Sequence, residues 1–239
     1  MNILISDIDG TLIKNHQVDE LDIRRLYDFV EEDNMFVLAT GRPYCATKHL
    51  QQLFRTKYMI CCNGAIIIDD NQQTIYQKTM DNDSVSAVVS YYEPNMYMFI
   101  SDGKSLTPIT DNHQEFNDEI VFISITLKED NFTFLEQLAN QLSSENPNIS
   151  CVLNGNHLDI GAPNVSKANG IKWLVENKNI NSDDISVVGD NFNDISMFEA
   201  FYDHSYAIAS GQPLAISKAK YQVNYIGEII SDDDYNVYK

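Results

Sequence analysis

The sequence is poor in basic residues. Only 16 of its 239 residues are Lys or Arg, against 35 Asp or Glu, and the formal net charge at pH 7 is −19. A surface with this charge repels nucleic acid and anionic lipid headgroups, so we expect neither as a partner. An anionic small substrate would need local positive charge, from a metal ion or from a few placed basic side chains, because the global field works against it.

Cysteine is also scarce, and long apolar runs are missing. Cys45, Cys61, Cys62 and Cys151 show no CxxC spacing. This pattern favours reduced thiols in a cytoplasmic protein over a disulfide framework or a metal role. No run approaches the roughly 18 apolar residues of a membrane span, and the first apolar residues are too few for a signal sequence. We therefore expect a cytoplasmic protein that has no membrane partner.

Strand and helix patterns alternate at both ends of the chain. ILISDID reads as a strand, DELDIRRLYDFVEED as an amphipathic helix and MFVLATGR as a second strand. Towards the C-terminus, KANGIKWLVENKNI reads as a helix and DISVVGDN as a strand. Strand, helix and strand in this order predict right-handed parallel units. We predict an α/β core with a parallel sheet over residues 1–79 and 161–239.

Hairpin signals interrupt this rhythm between residues 80 and 160. MYMFISDGKSLTPI reads as two short strands joined by Asp102-Gly103, and CVLNGNHLDIG contains a similar Asn-Gly turn. The stretches DSVSAVVSYYE and NFTFLEQLANQLSS have helical patterns. The mixture predicts an inserted α+β domain over residues 80–160.

Polar clusters follow four of the predicted core strands. They are Asp7 and Asp9, Thr40-Gly41-Arg42, Asn63-Gly64, and the stretch GDNFND at 189–194. In a parallel α/β sheet, ligands bind at the carboxyl ends of the strands, where the loops converge. We therefore expect these residues to lie close together at one edge of the sheet.

Taken singly, these residues also have structural explanations. Asp7 or Asp9 could cap a turn, Thr40 could cap the helix after Pro43, and Asp194 could cap the helix ISMFEAF. Together, however, the four aspartates would face one another, which is unfavourable without a cation. Mg²⁺ fits best because it takes oxygen ligands and commonly shares a site with phosphate. No His or Cys accompanies the carboxylates, which argues against zinc.

Four ordered motifs resemble those of the haloacid dehalogenase-like hydrolases. They are DIDGT at 7–11, TGR at 40–42, Lys167 in SKANGIKWL, and GDNFNDISMF at 189–198. CNGA at 62–65, together with an insert between the second and third motifs, is similar to the Cof-type branch of sugar-phosphate phosphatases. The resemblance covers the core at both ends of the chain, and the insert by position and pattern only. It implies a Rossmann-like core whose insert is a cap that determines substrate specificity.

The family resemblance also implies an activity and a role for individual residues. It implies a Mg²⁺-dependent phosphatase that acts on small phosphorylated metabolites, sugar phosphates first. Asp7 would be the nucleophile that forms an aspartyl-phosphate, and Asp9 the general acid and base. The implied phosphate-binding residues are Thr40, Gly41, Lys167 and Asn193. The implied metal ligands are Asp7, the backbone carbonyl of Asp9, and Asp190, with Asp194 and Asn193 supporting the shell.

The roles of three residues are assigned only from the family resemblance or from their position after a predicted strand. Without it, Lys167 would be read as a solvated lysine at the start of a helix. Arg42 and Asn63 are candidate substrate-binding residues, because they follow strands at the predicted edge of the sheet.

Two alternatives stay open. A phosphomutase of the same fold would need basic residues that grip a bisphosphate, and residues 80–160 contain only Lys104 and Lys128 and no Arg. A non-catalytic binding or regulatory protein would be expected to lack Asp7, Asp9, Lys167 or Asp190, and all four are present. Both observations favour a phosphatase. The sequence does not indicate the oligomeric state.

Overall fold

The computed structural model describes residues 1–114, 116, 119–129 and 131–230, and its strands form two separate sheets. The last nine residues of the predicted core, 231–239, lie outside the described part. Within the described ranges, no helix is long and apolar enough to cross a membrane. All four cysteines are free thiols, as the sequence predicted.

Thirteen strands and seven α-helices make up the regular structure of the described residues. The strands are β1 (Ile3–Ser6), β2 (Met35–Ala39), β3 (Tyr58–Cys61), β4 (Ile66–Asp69), β5 (Thr74–Gln77), β6 (Met96–Ser101), β7 (Thr107–Pro108), β8 (Phe122–Leu127), β9 (Ser150–Asn154), β10 (His157–Gly161), β11 (Ile185–Gly189), β12 (Ser205–Ile208) and β13 (Tyr221–Val223). The helices are α1 (Glu20–Glu31), α2 (Tyr44–Leu53), α3 (Asn82–Val89), α4 (Phe132–Glu145), α5 (Lys167–Lys178), α6 (Ile195–Ala200) and α7 (Pro213–Lys218).

The first sheet contains eight strands in the order β13-β12-β11-β1-β2-β3-β4-β5. The six strands from β13 to β3 are parallel, whereas β4 and β5 continue the sheet as antiparallel strands. β1 lies between β11 and β2, and all four of its residues are buried, as expected for a strand covered on both faces. The predicted α/β fold with a parallel-sheet core is confirmed.

Helix α1 illustrates how the local sequence determines an element of this core. Asp19 begins it by accepting a hydrogen bond from the backbone N–H of Leu21 at 2.8 Å, and Leu26 and Phe29 form its buried face. Strands β5 and β13 and helix α7 were not among the predicted elements. They have three to six residues each, which is too short to show a clear hydrophobic period in the sequence.

The second sheet contains five antiparallel strands in the order β7-β6-β8-β10-β9. Its residues run from Met96 to Gly161. Apolar side chains of α3 and α4, such as Val88 and Leu135, belong to the same buried cluster as Ile123 and Leu158 of the sheet. This arrangement is consistent with a core and an inserted cap, and the boundaries at residues 80 and 160 stay predictions.

Candidate active site

The end of β1 and the start of α5 meet in a buried group of opposite charges. The ammonium of Lys167 donates to Asp7 Oδ1 at 2.5 Å and to Asp194 Oδ1 at 2.6 Å. Lys167 has no solvent exposure, and Ser166 begins its helix by accepting from the backbone N–H of Asn169. The alternative of a solvated helix-start lysine is therefore wrong. Lys167 partly neutralises the carboxylates that flank it.

The charges in this group are not balanced by Lys167 alone. Burial raises the pKa of Asp7 well above its usual value, and the neighbouring Asp194 and Asp190 add to the rise, against the attraction of Lys167. Burial and Asp194 raise the pKa of Asp190 to about 6. Burial alone would lower the pKa of Lys167, but Asp194 and Asp7 outweigh it and the pKa lies above its usual value. Three carboxylates around one ammonium leave negative charge that a further cation would balance.

The stretch from 189 to 194, which we call the acidic loop, holds Asp190 and Asp194 in place. Asp194 Oδ2 accepts from the backbone N–H groups of Asp190 and Asn191 at 2.8 and 2.9 Å. Thr11 Oγ1 donates to Asp190 Oδ1 at 2.8 Å, which joins this loop to the turn after β1. Gly10 permits this approach, because it has a positive φ of 82° and a Cβ there would lie 2.3 Å from Asp190 Oδ2.

The helix-cap explanation of Thr40 is wrong, and Asp194 caps the short 3₁₀-helix Phe192–Asp194 that precedes α6 rather than α6 itself. Pro43, not Thr40, precedes α2, and the Thr40 hydroxyl instead accepts from the backbone N–H of Arg42 at 3.1 Å. Asp194 stands at the cap position of α6 but makes no side-chain cap hydrogen bond, because both of its oxygens are used by Lys167 and the acidic loop. Both side chains are buried, at the edge of the sheet where β1, β2 and β11 end.

Asp9 and Arg42 form a second, more exposed pair. Arg42 binds Asp9 through two nitrogen atoms, Nε at 2.6 Å from Oδ2 and Nη2 on Oδ1. About half of each side chain is exposed, 51% for Asp9 and 43% for Arg42. Both residues line a cavity of about 590 Å³ between the two sheets. Asp9 is therefore accessible from the cavity, whereas Asp7 is buried.

A chain of amides connects the acidic loop to the second sheet. Asn193 Nδ2 donates to Asn63 Oδ1 at 3.1 Å, and Asn63 Nδ2 donates to Asp159 Oδ2 at 2.9 Å. Asp159, on β10, also accepts from Ser124 and Asn154 of the second sheet. Burial raises the pKa of Asp159 above its usual value, although all three donors favour its ionised form. Asn63 thus lies at the junction of the two sheets.

Asn193 contributes an acceptor rather than a donor to the site. Its amide nitrogen is used by Asn63, and no described residue donates to its buried Oδ1. A phosphate oxygen is itself an acceptor, so this arrangement does not favour the predicted phosphate-binding role of Asn193. A free buried oxygen on the residue that precedes Asp194 instead suits a cation or the water bound to one.

Three polar residues of this junction were missed from the sequence: Ser124, Asn154 and Asp159. Asp159 had a usable signal, because it interrupts the otherwise apolar or small run Leu158–Gly161, all of which is buried. A buried carboxylate needs hydrogen-bond partners, so a single acid within such a run indicates a polar network. Ser124 and Asn154 gave no comparable signal.

The cavity is lined by both sheets. The first sheet and its loops contribute Asp9, Gly41, Arg42 and Asn191, and the second sheet contributes Phe99, Phe122, Ser124, Thr126, Asn154, His157 and Asp159. Gly41 lies where a Cβ would be 2.9 Å from Asp159 Oδ2, so a larger residue there would collide with the second sheet. Among the described lining residues, Arg42 and His157 are the basic ones.

The comparison with protein families identifies this arrangement. The model of the haloacid dehalogenase-like hydrolases matches residues 4–111 and 96–228 of the chain. The chain belongs to this family. The matched residues include all four motifs quoted above and the whole group of buried charges. The predicted family and the prediction of an enzyme are confirmed.

Individual relatives in this hydrolase family agree with the assignment. An uncharacterized protein of Mycoplasma capricolum is 29% identical over 260 residues, which cover 95% of this chain and 98% of that protein. Phosphatase YwpJ of Bacillus subtilis is 20% identical over 286 residues, which cover 99% and 97%. The solved structure of BT4131, a subclass IIB sugar phosphatase of the family, superposes with a TM-score of 0.81 at 19% identity over 93% of each chain. This last similarity concerns the fold.

Proposed function

We propose that this hydrolase is a Mg²⁺-dependent phosphomonoesterase that acts on small phosphorylated metabolites, sugar phosphates first, through an aspartyl-phosphate on Asp7. The observation that carries the proposal is the group of Asp7, Asp190 and Asp194 around Lys167, next to Asp9 at a cavity between the sheets. Phosphatases among the relatives support the reaction type, and the sugar phosphatase among the structural neighbours supports the substrate class.

The residues present fit a divalent cation. One oxygen from each of Asp7, Asp190 and Asp194 lies within 4.8 Å of the others, and burial, together with the neighbouring carboxylates, raises the pKa values of Asp7 and Asp190. An all-oxygen donor set of this kind suits Mg²⁺. Asp7, Asp190 and the backbone carbonyl of Asp9 would hold the metal, with Asp194 and the free oxygen of Asn193 in support. When bound, the metal would neutralise charge on the transferred phosphoryl oxygens.

Asp7 and Asp9 would divide the chemistry between them. An Asp7 oxygen attacks phosphorus, the bond to the leaving oxygen breaks, and Asp9 gives that oxygen its proton. Asp9 then takes a proton from water, the water attacks the aspartyl-phosphate, and Asp7 is released together with inorganic phosphate. Because Arg42 occupies both oxygens of Asp9, it must move away before Asp9 can transfer a proton.

Thr40, Gly41 and Lys167 would position the phosphate. Thr40 and Gly41 lie at the end of β2, beside the turn that carries Asp9, and a hydroxyl and backbone N–H groups are suitable donors to phosphate oxygens. Lys167 is buried behind Asp7, so its positive charge would act on the phosphoryl group mainly through the electrostatic field. A cytoplasmic location stays a prediction.

The composition of the cavity favours an uncharged leaving group over a bisphosphate. Arg42 and His157 are the only basic side chains of the described lining, and His157 lies beside Thr126 across the second sheet. Ser124, Thr126 and Asn154 offer hydrogen bonds to hydroxyl groups, and Phe99 and Phe122 offer apolar contact. The described lining thus does not favour a phosphomutase, which would need cations for a second phosphate. Arg42 and Asn63 remain candidates for contact with the substrate.

Phosphate release from a panel of phosphorylated sugars, nucleotides and cofactors tests the proposal. We expect the wild type to release phosphate in the presence of Mg²⁺. Chelation should abolish the release, and restoring Mg²⁺ should recover it. In Asp7→Asn the rate of release should fall by roughly a thousandfold or more. Asp28→Asn, an exposed carboxylate on α1, is the matched control and should behave as wild type.

Two results would contradict the proposal in different ways. Full turnover in Asp7→Asn would exclude the covalent mechanism. No release from any compound by a folded wild type, with or without metal, would favour the mutase or the binding protein instead.

A further inference from the structure

Three consecutive residues of the acidic loop, Asn191, Phe192 and Asn193, are each linked to the part of the chain that carries the second sheet. They lie between Asp190 and Asp194, two of the three carboxylates of the proposed metal site. The loop has internal hydrogen bonds of its own, from its backbone N–H groups to Asp194. The contacts of Asn191, Phe192 and Asn193 with residues outside the loop are therefore additional to the hydrogen bonds that form its local turn.

Two of the three links are hydrogen bonds made by asparagine side chains. Asn191 Nδ2 donates to Asn154 Oδ1, at the end of β9, at 3.2 Å. Asn193 reaches β10 indirectly, through Asn63 and on to Asp159. Asn154 also donates to Asp159, at 3.3 Å, so the two paths end on the same carboxylate.

The third link is an aromatic contact that no catalytic argument uses. The ring of Phe192 packs on the ring of Phe132, the first residue of α4, with centroids 5.9 Å apart and planes tilted by 34°. Phe132 is 42% exposed, so its ring is not part of a buried core, and it does not line the cavity. Single exposed apolar side chains are common, and what distinguishes Phe132 is that its ring lies against a residue of the acidic loop.

We propose that Phe132 is a positioning residue of the metal site, because its contact with Phe192 holds the acidic loop in the conformation that places Asp190 and Asp194. The inference rests on the proposed metal site. Phe132 itself touches neither the carboxylates nor the cavity, so it acts through the loop.

The physical argument is one of preorganisation. A divalent cation binds best when its carboxylates are already held at the right separation, since otherwise binding must also order the loop. A contact present only in the ordered loop shifts the equilibrium towards the binding-competent state and lowers the apparent dissociation constant for the metal. The coupling is reciprocal, so bound metal should also strengthen the contact of the loop with α4.

The test is a titration of the metal-free full-length protein with Mg²⁺, or with Mn²⁺ as a stronger-binding probe, by calorimetry. We expect Phe132→Ala to weaken metal binding by roughly two- to tenfold, the effect that an aromatic pair of this kind has on an equilibrium. Phe132→Tyr keeps the ring and should keep the wild-type affinity. Tyr97→Ala removes another exposed ring, one that contacts Lys128, and should leave the affinity unchanged.

A double-mutant cycle separates positioning from a general loss of stability. If the two rings act as a unit, Phe192→Ala weakens metal binding, and adding Phe132→Ala to it causes little further loss. Unfolding curves of the metal-free variants provide the stability control.

The possible failures can be distinguished. If Phe132→Ala binds metal as the wild type does, or if its effect is fully additive with that of Phe192→Ala, the role of Phe132 is excluded and the metal site stands. If the folded wild type binds no divalent cation, the metal-dependent function itself is wrong, and the inference fails with it.

Discussion

Asp7 on the first sheet and Asp159 on the second are both buried carboxylates, but their partners differ. Asp7 has a buried ammonium, Lys167, and two further carboxylates close by. Asp159 is held by neutral donors, the amides of Asn63 and Asn154 and the hydroxyl of Ser124. Burial raises the pKa of both groups.

The difference in partners separates a site that carries excess negative charge from one whose carboxylate is satisfied by neutral donors. Neutral donors can satisfy the oxygens of a single buried acid, which gives a fixed polar junction. Three acids around one lysine leave a surplus of negative charge, which the proposed divalent cation would balance. In the proposed function, the first sheet would supply the charge for the chemistry, and the second sheet would supply position and shape. Three substitutions test this comparison through the free energy of unfolding.

Lys167→Met should have the largest effect. It removes the buried cation and leaves Asp7 and Asp194 without their partner, and the loss of one partner of a buried ion pair costs about 3–5 kcal/mol. Urea unfolding of the metal-free protein measures the loss, and Mg²⁺ should reduce it, because the metal neutralises the same carboxylates.

The control for Lys167 is Lys172→Met, an exposed lysine on the same helix, which should change the free energy of unfolding by less than about 0.5 kcal/mol. Equal effects of the two substitutions would contradict the view that Lys167 stabilises the carboxylates.

Asp159→Ala should have an intermediate effect. It leaves Asn63, Ser124 and Asn154 without their shared acceptor, which costs about 1–3 kcal/mol. Asp159→Asn is the matched variant, since its amide oxygen can still accept from the two asparagines, and the Ser124 hydroxyl can turn to accept from its amide nitrogen. It should be much less destabilised than Asp159→Ala.

A comparison of the wild type with Asp159→Asn tests how the free energy of unfolding depends on pH. The folded-state pKa of Asp159 is raised, so the folded protein holds a proton that the unfolded chain has already lost. The stability that this bound proton contributes to the folded protein is complete below about pH 4, and it is lost as the pH rises through the raised pKa of Asp159. The wild type should therefore lose stability relative to Asp159→Asn as the pH rises. His157, whose charge opposes the shift, is present in both proteins. If the difference in the free energy of unfolding between the two proteins stays constant with pH, the ionisation of Asp159 is contradicted.

Arg42→Ala should have the smallest effect on unfolding. Its bond to Asp9 is bidentate but about half exposed, and exposed ion pairs contribute about 0.2–1 kcal/mol. Lys218→Ala, which removes the similarly exposed pair with Glu199, is the control and should give a similar value. A loss from Arg42→Ala as large as that from Lys167→Met would mean that this pair is structural and that the proposed separation of Arg42 from Asp9 is too costly.

The sequence predicted the charged site better than the polar junction, for physical reasons. Asp7, Asp9, Asp190 and Asp194 follow strands, and strand ends of a parallel sheet converge, so local pattern and topology together placed them. The burial of Lys167 was not predictable from its own surroundings. Only its partners, one of which lies 160 residues away, make a buried lysine stable at that position.

The junction between the sheets depends on packing that no local pattern encodes. Phe132 and Phe192 meet although each looks like an ordinary helix or loop residue in the sequence. Asn154 and Asn191 likewise form their contact only because the turn after β9 lies over the acidic loop. The α/β fold class could be predicted because alternating strands and helices are periodic over long stretches, which single contacts are not.

The pairing of β1 with β11 also determines when the enzyme can become active during synthesis. Ile3 lies opposite Ile185, so the chain must leave the ribosome at least as far as residue 185 before β1 acquires this neighbour. Closing so large a loop is entropically costly, and contacts of such long range slow folding. Until then β1 exposes one unpaired edge, which is where another nascent chain could pair. A polypeptide released before residue 167 would contain Asp7, the proposed nucleophile, without its buried partner Lys167, and we expect it to be inert.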